Sequence, residues 1–250
     1  LVVHQLGLPV DLAACRQLCA DHGLRLVEDA ACALGSRYRD EPIGQPHGDL
    51  ACFSFHPRKV ITTGEGGAVT TRHPDLDRAL RRLRNHGGEA TGAPAHAPDA
   101  VRFTTLGHNF RMSDLQAAVG NVQLERLPGL VARRQALAAL YQERLSGQPA
   151  LALPAVPTEV TPNWQSYQLR LTDRCAHAPA EVAAKLAGAG IASRAGLTAI
   201  HREPLYRDDT LRLPHAEAIA ERGLFLPLFP DLTDDQAHRV SDALLAVVGV

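Results

Sequence analysis

Three short segments between residues 29 and 67 carry side chains that could do chemistry together. The first begins at Asp29, soon after Leu-Arg-Leu-Val at 24–27, which we predict to be a buried strand. Open α/β sheets bind ligands at the carboxyl ends of their strands, where a carboxylate can pair with a cationic ligand nitrogen. Asp29 could equally cap a helix or a turn, and position alone does not decide between the two roles.

The second segment contains Ser54, at the end of a predicted strand, and Lys59, in the loop that follows. An enclosed lysine near the carboxyl edge of a sheet is a candidate amine for a Schiff base. The alternative is an ordinary solvated lysine. Only two of the 26 basic residues are lysines, Lys59 and Lys185, so a merely solvated position in this chain would usually carry arginine. This scarcity favours a chemical role for Lys59.

The third segment, 62–67, reads Thr-Thr-Gly-Glu-Gly-Gly and permits tight turns and a close approach of the backbone. No Gly-Lys-Ser/Thr follows, which excludes a P-loop. An acid at a strand end, a serine, a lysine and a glycine-rich turn together suit pyridoxal phosphate. That cofactor needs an amine for its aldehyde, an acid for its pyridine nitrogen and donors for its phosphate.

The elements that must position these residues alternate between helix and strand, the pattern of an α/β domain with a mostly parallel sheet. Residues 87–101, rich in Gly, Ala and Pro, are predicted to form an exposed loop. The remaining predictions for this part are a helix from Asp11 to about His22, strands at 24–27, 50–55 and 67–71, and a charged helix at 72–84.

Two helices are predicted between residues 113 and 145. A capping box from Ser113 to Gln116 opens the first, and Pro128 sits where the second begins. The inward face predicted for the first helix is Leu115, Ala118, Val119 and Val122.

A proline-rich, linker-like segment at 146–163 precedes a part with a different pattern of elements. We predict a half-buried strand at 166–171, a helix at about 179–187 and a last helix opened by a capping box at 233–236. The predicted domains are therefore 1–127, the mostly parallel α/β part, and 128–250, a linking helix with a smaller α+β part.

Composition excludes several classes of function. A formal charge of −1 gives no electrostatic footprint for nucleic acid or for anionic lipid. No apolar run approaches the roughly 20 residues of a membrane span, and the first residues lack the features of a signal peptide. Five cysteines without a C-x-x-C pair favour a reducing, cytoplasmic compartment. Twelve histidines show no metal-ligand spacing, so no metal is expected.

Four long segments resemble the DegT/DnrJ/StrS family of pyridoxal-phosphate-dependent sugar-nucleotide aminotransferases, which have the fold-type I architecture. The segments are 27–38, 48–71, 82–87 and 107–127. Further matches at 2–11, 163–171, 190–201 and 225–233 extend the resemblance over nearly the whole chain.

The resemblance implies a role for each residue that matches the family motifs. Lys59 would hold the cofactor covalently and move a proton between the substrate carbon and the cofactor. Asp29 would bind the pyridine nitrogen, Ala31 would pack on the ring face, and Ser54 would bind the phosphate. Asn109 would reach the phosphate of a partner subunit's cofactor, so the resemblance also implies a homodimer with a shared active site.

His201 would line the sugar-nucleotide pocket in this interpretation, although an ordinary loop histidine fits it equally well. Cys32 departs from the family, which usually has Gln or His at this position, in contact with the ring hydroxyl. A thiol can still donate a weak hydrogen bond there. Family members also carry a section before residue 1 that supplies part of the phosphate site, so the resemblance implies an N-terminally truncated chain.

The implied reaction moves an amino group, with L-glutamate as the expected donor, to a keto-sugar nucleotide. A nucleotide-linked 4-keto-6-deoxyhexose is the expected acceptor, and the setting would be amino-sugar, glycan or antibiotic biosynthesis. Three alternatives stay open: a sugar dehydratase of the same family, a truncated non-catalytic homologue, and another acceptor such as an aminocyclitol ketone. The dehydratases carry His where Lys59 stands, which argues against the first.

Overall fold

The computed structural model describes residues 1–45 and 47–249. The chain forms two compact units. The first consists of Leu1–Pro128 and Glu159–Thr161, and the second of Gly129–Thr158 and Pro162–Val250.

Within these described residues, the regular elements are short strands and six α-helices of 9 to 32 residues. The helices are α1 (Leu12–Asp21), α2 (Pro74–Leu83), α3 (Asp114–Leu145), α4 (Pro179–Gly188), α5 (Pro214–Arg222) and α6 (Asp234–Val248). The strands are β1 (Val2–Val3), β2 (Val27–Asp29), β3 (Arg37–Tyr38), β4 (Glu41–Pro42), β5 (Leu50–Ser54), β6 (Gly67–Thr70), β7 (Gly88–Ala90), β8 (Val101–Phe103), β9 (Leu151–Ala152), β10 (Val160–Thr161), β11 (Tyr167–Leu171), β12 (Arg194–Ala195) and β13 (Gly223–Leu226).

The main sheet of the first unit has the order β1-β2-β5-β6. The first three strands are parallel, and β6 runs antiparallel to β5. Asp29 lies opposite Val3 on one side and Cys52 on the other. The carboxyl ends of β2 and β5 therefore meet at one edge of the sheet, as the predicted α/β fold requires.

Helix α1 packs against the sheet through Leu12, which is completely buried. Asp11 caps the helix as predicted, because its Oδ1 accepts the Ala14 N–H at 3.1 Å. The same oxygen accepts the Tyr38 hydroxyl at 3.0 Å. These two hydrogen bonds lower the pKa of the Asp11 carboxyl, the Ala14 bond contributing most.

A single helix, α3, replaces the two helices predicted on either side of Pro128. The fixed φ of proline is compatible with an α-helix, so the chain continues through Pro128 at the cost of one backbone hydrogen bond. The capping box is confirmed: Gln116 N–H donates to Ser113 Oγ, and Gln116 Oε1 accepts the Ser113 N–H at 3.0 Å. The helix begins in the first unit and ends in the second.

The face of α3 predicted to point inward is instead exposed. The exposed fraction is 83% for Leu115, 51% for Val119 and 56% for Val122. Helical periodicity identifies an apolar face, but it does not identify what covers it. In this chain, the described residues leave that face open.

Residues 87–101 are also more ordered than the predicted loop. β7 pairs antiparallel with β8, with Gly88 opposite Phe103 and Ala90 opposite Val101. Gly and Ala have low β-propensity, so the composition conceals a hairpin that backbone hydrogen bonds define.

The second unit is built on an antiparallel sheet of order β12-β13-β11-β9. Its core is centred on Tyr141 of α3 and Tyr167 of β11, whose rings lie 5.0 Å apart. The predicted capping box of α6 is confirmed, because Thr233 and Gln236 exchange hydrogen bonds. Across the described residues, no helix is both long and apolar enough to span a membrane.

Candidate active site

The two strand ends at the carboxyl edge of the main sheet place Asp29 and Ser54 on neighbouring strands. Asp29 is the last residue of β2, and Ser54 is the last residue of β5. The Ala30 N–H donates to the Cys52 carbonyl at 2.9 Å, which continues the pairing of the strands just past Asp29. Both side chains are half-buried, so they are held by the sheet and still reachable by a ligand.

The Asp29 carboxylate has one oxygen engaged locally. Oδ1 accepts the Ala31 N–H at 3.0 Å, which forms a turn directly after the strand. Asp29 therefore does cap a turn, which is one of the two roles that its position in the sequence allows. The turn also orients the carboxylate, and an ionised carboxylate has further lone pairs for a cationic ligand nitrogen.

Ser54 and Lys59 are joined by a tight loop. Ser54 Oγ accepts the His56 N–H at 3.3 Å, which leaves its own O–H for another acceptor. The Lys59 N–H donates to the His56 carbonyl at 2.9 Å. This turn directs the chain back, so that Lys59 is half-buried rather than fully exposed.

The Lys59 amine lies beside the segment that follows β2. Its Nζ is 3.3 Å from Cys32 Sγ, and Cys32 is half-buried three residues after Asp29. Five predicted site residues are thus brought to one edge of the first unit: Asp29, Ala31, Cys32, Ser54 and Lys59. The contact between Cys32 and Lys59 could not be read from sequence, because it depends on the paths of two loops.

The glycine-rich turn has a packing role. Gly66 has a φ of +148°, and a Cβ there would lie 2.7 Å from Thr63 Oγ1. A Cβ on Gly67 would lie 2.6 Å from the Phe53 carbonyl oxygen. The Gly66 carbonyl accepts the Phe55 N–H at 2.9 Å, so the turn closes the loop that carries Lys59.

A buried hydrogen-bonded pair that sequence reasoning missed lies behind Asp29. His4 Nε2 is 2.9 Å from Glu28 Oε2, and both side chains have no exposed surface. His4 Nδ1 accepts the Val10 N–H at 3.2 Å, which makes Nε2 the nitrogen that donates to Glu28. Glu28 Oε1 also accepts the Gly48 N–H at 2.5 Å. The sequence did carry a signal, since an acid inside a buried strand requires a partner.

Asn109 stands apart from these residues, on an exposed segment. It forms an isolated antiparallel bridge with Asn85, just past the end of α2. Two backbone hydrogen bonds hold the segment in place. The His86 N–H donates to the His108 carbonyl, and the Phe110 N–H donates to the Arg84 carbonyl, both at 2.9 Å. Asn109 is therefore presented at the surface of the first unit.

His201 lies in the second unit and is buried, with 5% of its side chain exposed. Its Nε2 is 3.1 Å from Glu217 Oε1. The pKa of Glu217 is lowered, chiefly by the Leu213 N–H and also by His201. Nδ1 is buried and has no hydrogen-bond partner among the described residues. The proposed role of His201 in substrate binding stays a prediction.

Residues 1–245 match the model of the DegT/DnrJ/EryC1/StrS aminotransferase family. The chain belongs to this family. It is 37% identical over 249 residues to dTDP-3-amino-3,4,6-trideoxy-alpha-D-glucose transaminase of Streptomyces venezuelae, covering 98% of this chain and 62% of that protein.

Two solved structures of the family have the same fold as this chain. The S. venezuelae DesV protein, in complex with a ketimine intermediate, matches with a TM-score of 0.87 and 36% identity, over 99% of this chain and 64% of that one. The PLP form of Spr1654 from Streptococcus pneumoniae matches with a TM-score of 0.88 and 25% identity, over 99% of this chain and 67% of that one. The chain thus spans about two thirds of these relatives, and its architecture is that of fold-type I aminotransferases.

Proposed function

We propose that this chain is the cofactor-binding and substrate-binding part of a pyridoxal-phosphate-dependent aminotransferase. The observation that carries the proposal is the convergence of Asp29, Ser54 and Lys59 at the carboxyl edge of the β2–β5 pair, in a chain of this family. The Spr1654 relative was solved in PLP and PMP forms, which supports the choice of cofactor.

The residues at this edge fit the chemical groups of pyridoxal phosphate. The bound cofactor would supply an aromatic ring that withdraws electrons from the reacting carbon. Lys59 would hold the aldehyde and carry the proton at the reacting carbon, and the Asp29 carboxylate would keep the pyridine nitrogen protonated. Ser54 would donate its O–H to the phosphate. The small side chain of Ala31 would leave room for the ring, with the Cys32 thiol beside Lys59.

We propose that the active protein is a homodimer in which Asn109 serves the partner's cofactor. The segment around Asn109 is rich in exposed apolar side chains: Phe103 is 71% exposed, Leu106 86% and Phe110 69%. The open face of α3 adds Leu115, which is 83% exposed. A second copy of the chain is the occupant we propose, because burying such a surface stabilises association and would carry Asn109 into another subunit.

The proposed substrates are L-glutamate and a keto-sugar nucleotide, in amino-sugar, glycan or antibiotic biosynthesis. The S. venezuelae relative is named for a dTDP-linked amino deoxysugar with nitrogen at C3. We propose a nucleotide-linked keto-deoxyhexose, and product analysis would distinguish amination at C3 from amination at C4. We also propose a cytoplasmic location, which the five cysteines without a C-x-x-C pair support.

The decisive experiment uses the two lysines of the chain. Purified protein is incubated with pyridoxal phosphate, reduced with borohydride and digested, and the modified peptide is identified by mass. We expect the label on Lys59, and we expect Lys59→Ala to lose both the label and transamination. Lys185→Ala is the matched control, because Lys185 lies in α4 of the second unit, 2.6 Å from His177 Nε2.

Other outcomes identify the alternatives. Normal transamination by Lys59→Ala would overturn the proposal. A deoxygenated product in place of an aminated one would identify a dehydratase. Cofactor binding without turnover of any keto-sugar nucleotide would identify a non-catalytic homologue.

A further inference from the structure

A cavity rich in arginine lies in the first unit, where the end of α2 meets β7. Its volume is about 370 Å³. Five arginines and one acid contribute its charged lining: Arg78, Arg81, Arg82, Arg84, Arg111 and Glu89. None of its lining residues belongs to the group around Asp29 and Lys59.

The arginines converge because of the helix geometry and one long-range contact. Residues 78, 81 and 82 are spaced three and four apart, which places them on one face of α2. Arg84 follows at the end of the helix. Arg111 arrives from another segment and donates from Nη1 to Asn85 Oδ1 at 2.8 Å.

Positive charge in this cavity exceeds the negative charge that lines it. Glu89 accepts one hydrogen bond from Arg82 Nη1 at 3.3 Å, and Arg81 pairs with Asp77, which is outside the lining. Arg82 Nε is buried and has no hydrogen-bond partner in the described part of the chain. The helix dipole favours cations in the last turn of α2, which accounts for Arg81 and Arg82 but not for Arg78 or Arg111.

Like charges at this spacing repel one another, so the cluster would be stabilised by an anion. We propose that the cavity binds a phosphoryl group through these arginines. Guanidinium groups bind phosphate oxygens in bidentate geometry, and the volume lies within the range of small-molecule sites, roughly 300–1,000 Å³. The phosphoryl group belongs either to inorganic phosphate or to a nucleoside diphosphate.

Binding is measured by titrating each probe, inorganic phosphate and dTDP separately, into the full chain in phosphate-free buffer by calorimetry. The protein is first loaded with pyridoxal phosphate and reduced onto its lysine, so that the cofactor's own phosphate site is filled. We expect saturable binding of at least one probe, weakened at least tenfold by Arg78→Gln combined with Arg82→Gln. Arg174→Gln, which removes one exposed charge in the second unit, should change affinity less than twofold.

A second measurement does not depend on the folding of a variant. Phenylglyoxal modifies accessible arginines, and the binding probe should protect the peptides that carry the arginines of α2 but not Arg174. If only dTDP gives binding that the double variant weakens, the site is one for a nucleoside diphosphate; if phosphate gives such binding as well, the site recognises any phosphoryl group. Absence of binding by both probes, binding that the double variant retains, or a lack of protection would each overturn the proposal.

Discussion

In the proposed function, Asp29 combines a structural and a chemical role in one carboxylate. Oδ1 accepts the Ala31 N–H, while the rest of the group would be open to the proposed cofactor. Asp29→Asn keeps an oxygen for the Ala31 N–H and removes only the negative charge. We expect transamination to fall by at least about 10²-fold, the scale of one preorganised electrostatic contact. Steady-state rates with saturating donor and acceptor measure this loss.

The control for Asp29 is retention of cofactor. Because Lys59 and Ser54 are unchanged, borohydride should still fix the cofactor to the Asp29→Asn protein. An unchanged rate in this variant would show that the carboxylate does not act on the pyridine nitrogen.

Glu28, at the same sheet edge, contributes to the stability of the fold. It accepts hydrogen bonds from both His4 and the Gly48 backbone in a completely buried environment. Glu28→Ala would leave two buried donors without an acceptor, at a cost of about 1–3 kcal/mol for each donor in the free energy of unfolding. Urea denaturation measures the loss. Glu28→Gln keeps an acceptor oxygen and should lose less; equal losses would mean that the hydrogen bonds contribute little.

At this scale the sequence predicts which residues share a sheet edge better than it predicts their contacts. Residue type and strand position were enough to select Asp29, Ser54 and Lys59, because parallel strands bring their carboxyl ends together. The His4–Glu28 pair was missed, since its partners lie 24 residues apart and meet only once β1 pairs with β2.

Helix α1 offers a test at the scale of an element. The hydrogen bonds from Ala14 N–H and Tyr38 O–H to Asp11 stabilise its charged form, which lowers its pKa. A carboxyl with a lowered folded pKa stabilises the protein fully above its unfolded pKa of about 3.9, and this stabilisation is lost as pH falls through the folded value. We expect Asp11→Asn to melt at a lower temperature than the unsubstituted protein at pH 7.

The pH dependence separates charge from hydrogen bonding. The difference in melting temperature should shrink as the pH falls below the usual carboxyl range, because Asp11 is then neutral in both states. A difference that stays constant down to pH 3 would mean that the Asp11 charge does not contribute.

Element boundaries show why sequence periodicity alone is insufficient to locate helices and strands. The predicted helices over 113–127 and 128–145 are one helix, because the only local signal between them was a proline that a helix can absorb. The hairpin β7–β8 was hidden by a Gly- and Ala-rich composition. The hairpin depends on backbone pairing between Gly88–Ala90 and Val101–Phe103, which a local pattern does not encode.

The whole molecule raises the question of what covers the open face of α3. If that face binds a second copy, then one cofactor site takes Lys59 from one subunit and Asn109 from the other. Lys59→Ala and Asn109→Ala homodimers should each be impaired. Coexpressed with different tags, the two variants should form heterodimers in which one of the two sites has both residues intact.

Purified heterodimers should therefore recover about half of the sites of the unsubstituted dimer, counted by borohydride-fixed cofactor and by turnover. The control is Val119→Arg, which places a charge in the proposed interface at a position that is 51% exposed in the single chain. This variant should prevent both heterodimer formation and the recovery of active sites. Its helical content should be unchanged. Each site would be self-contained, and the shared-site proposal wrong, if the Asn109→Ala homodimer were fully active, or if the purified heterodimer gained nothing over its impaired parents. Either result would leave the face of α3 available to another partner, since its exposed apolar side chains would then have no role in completing the site.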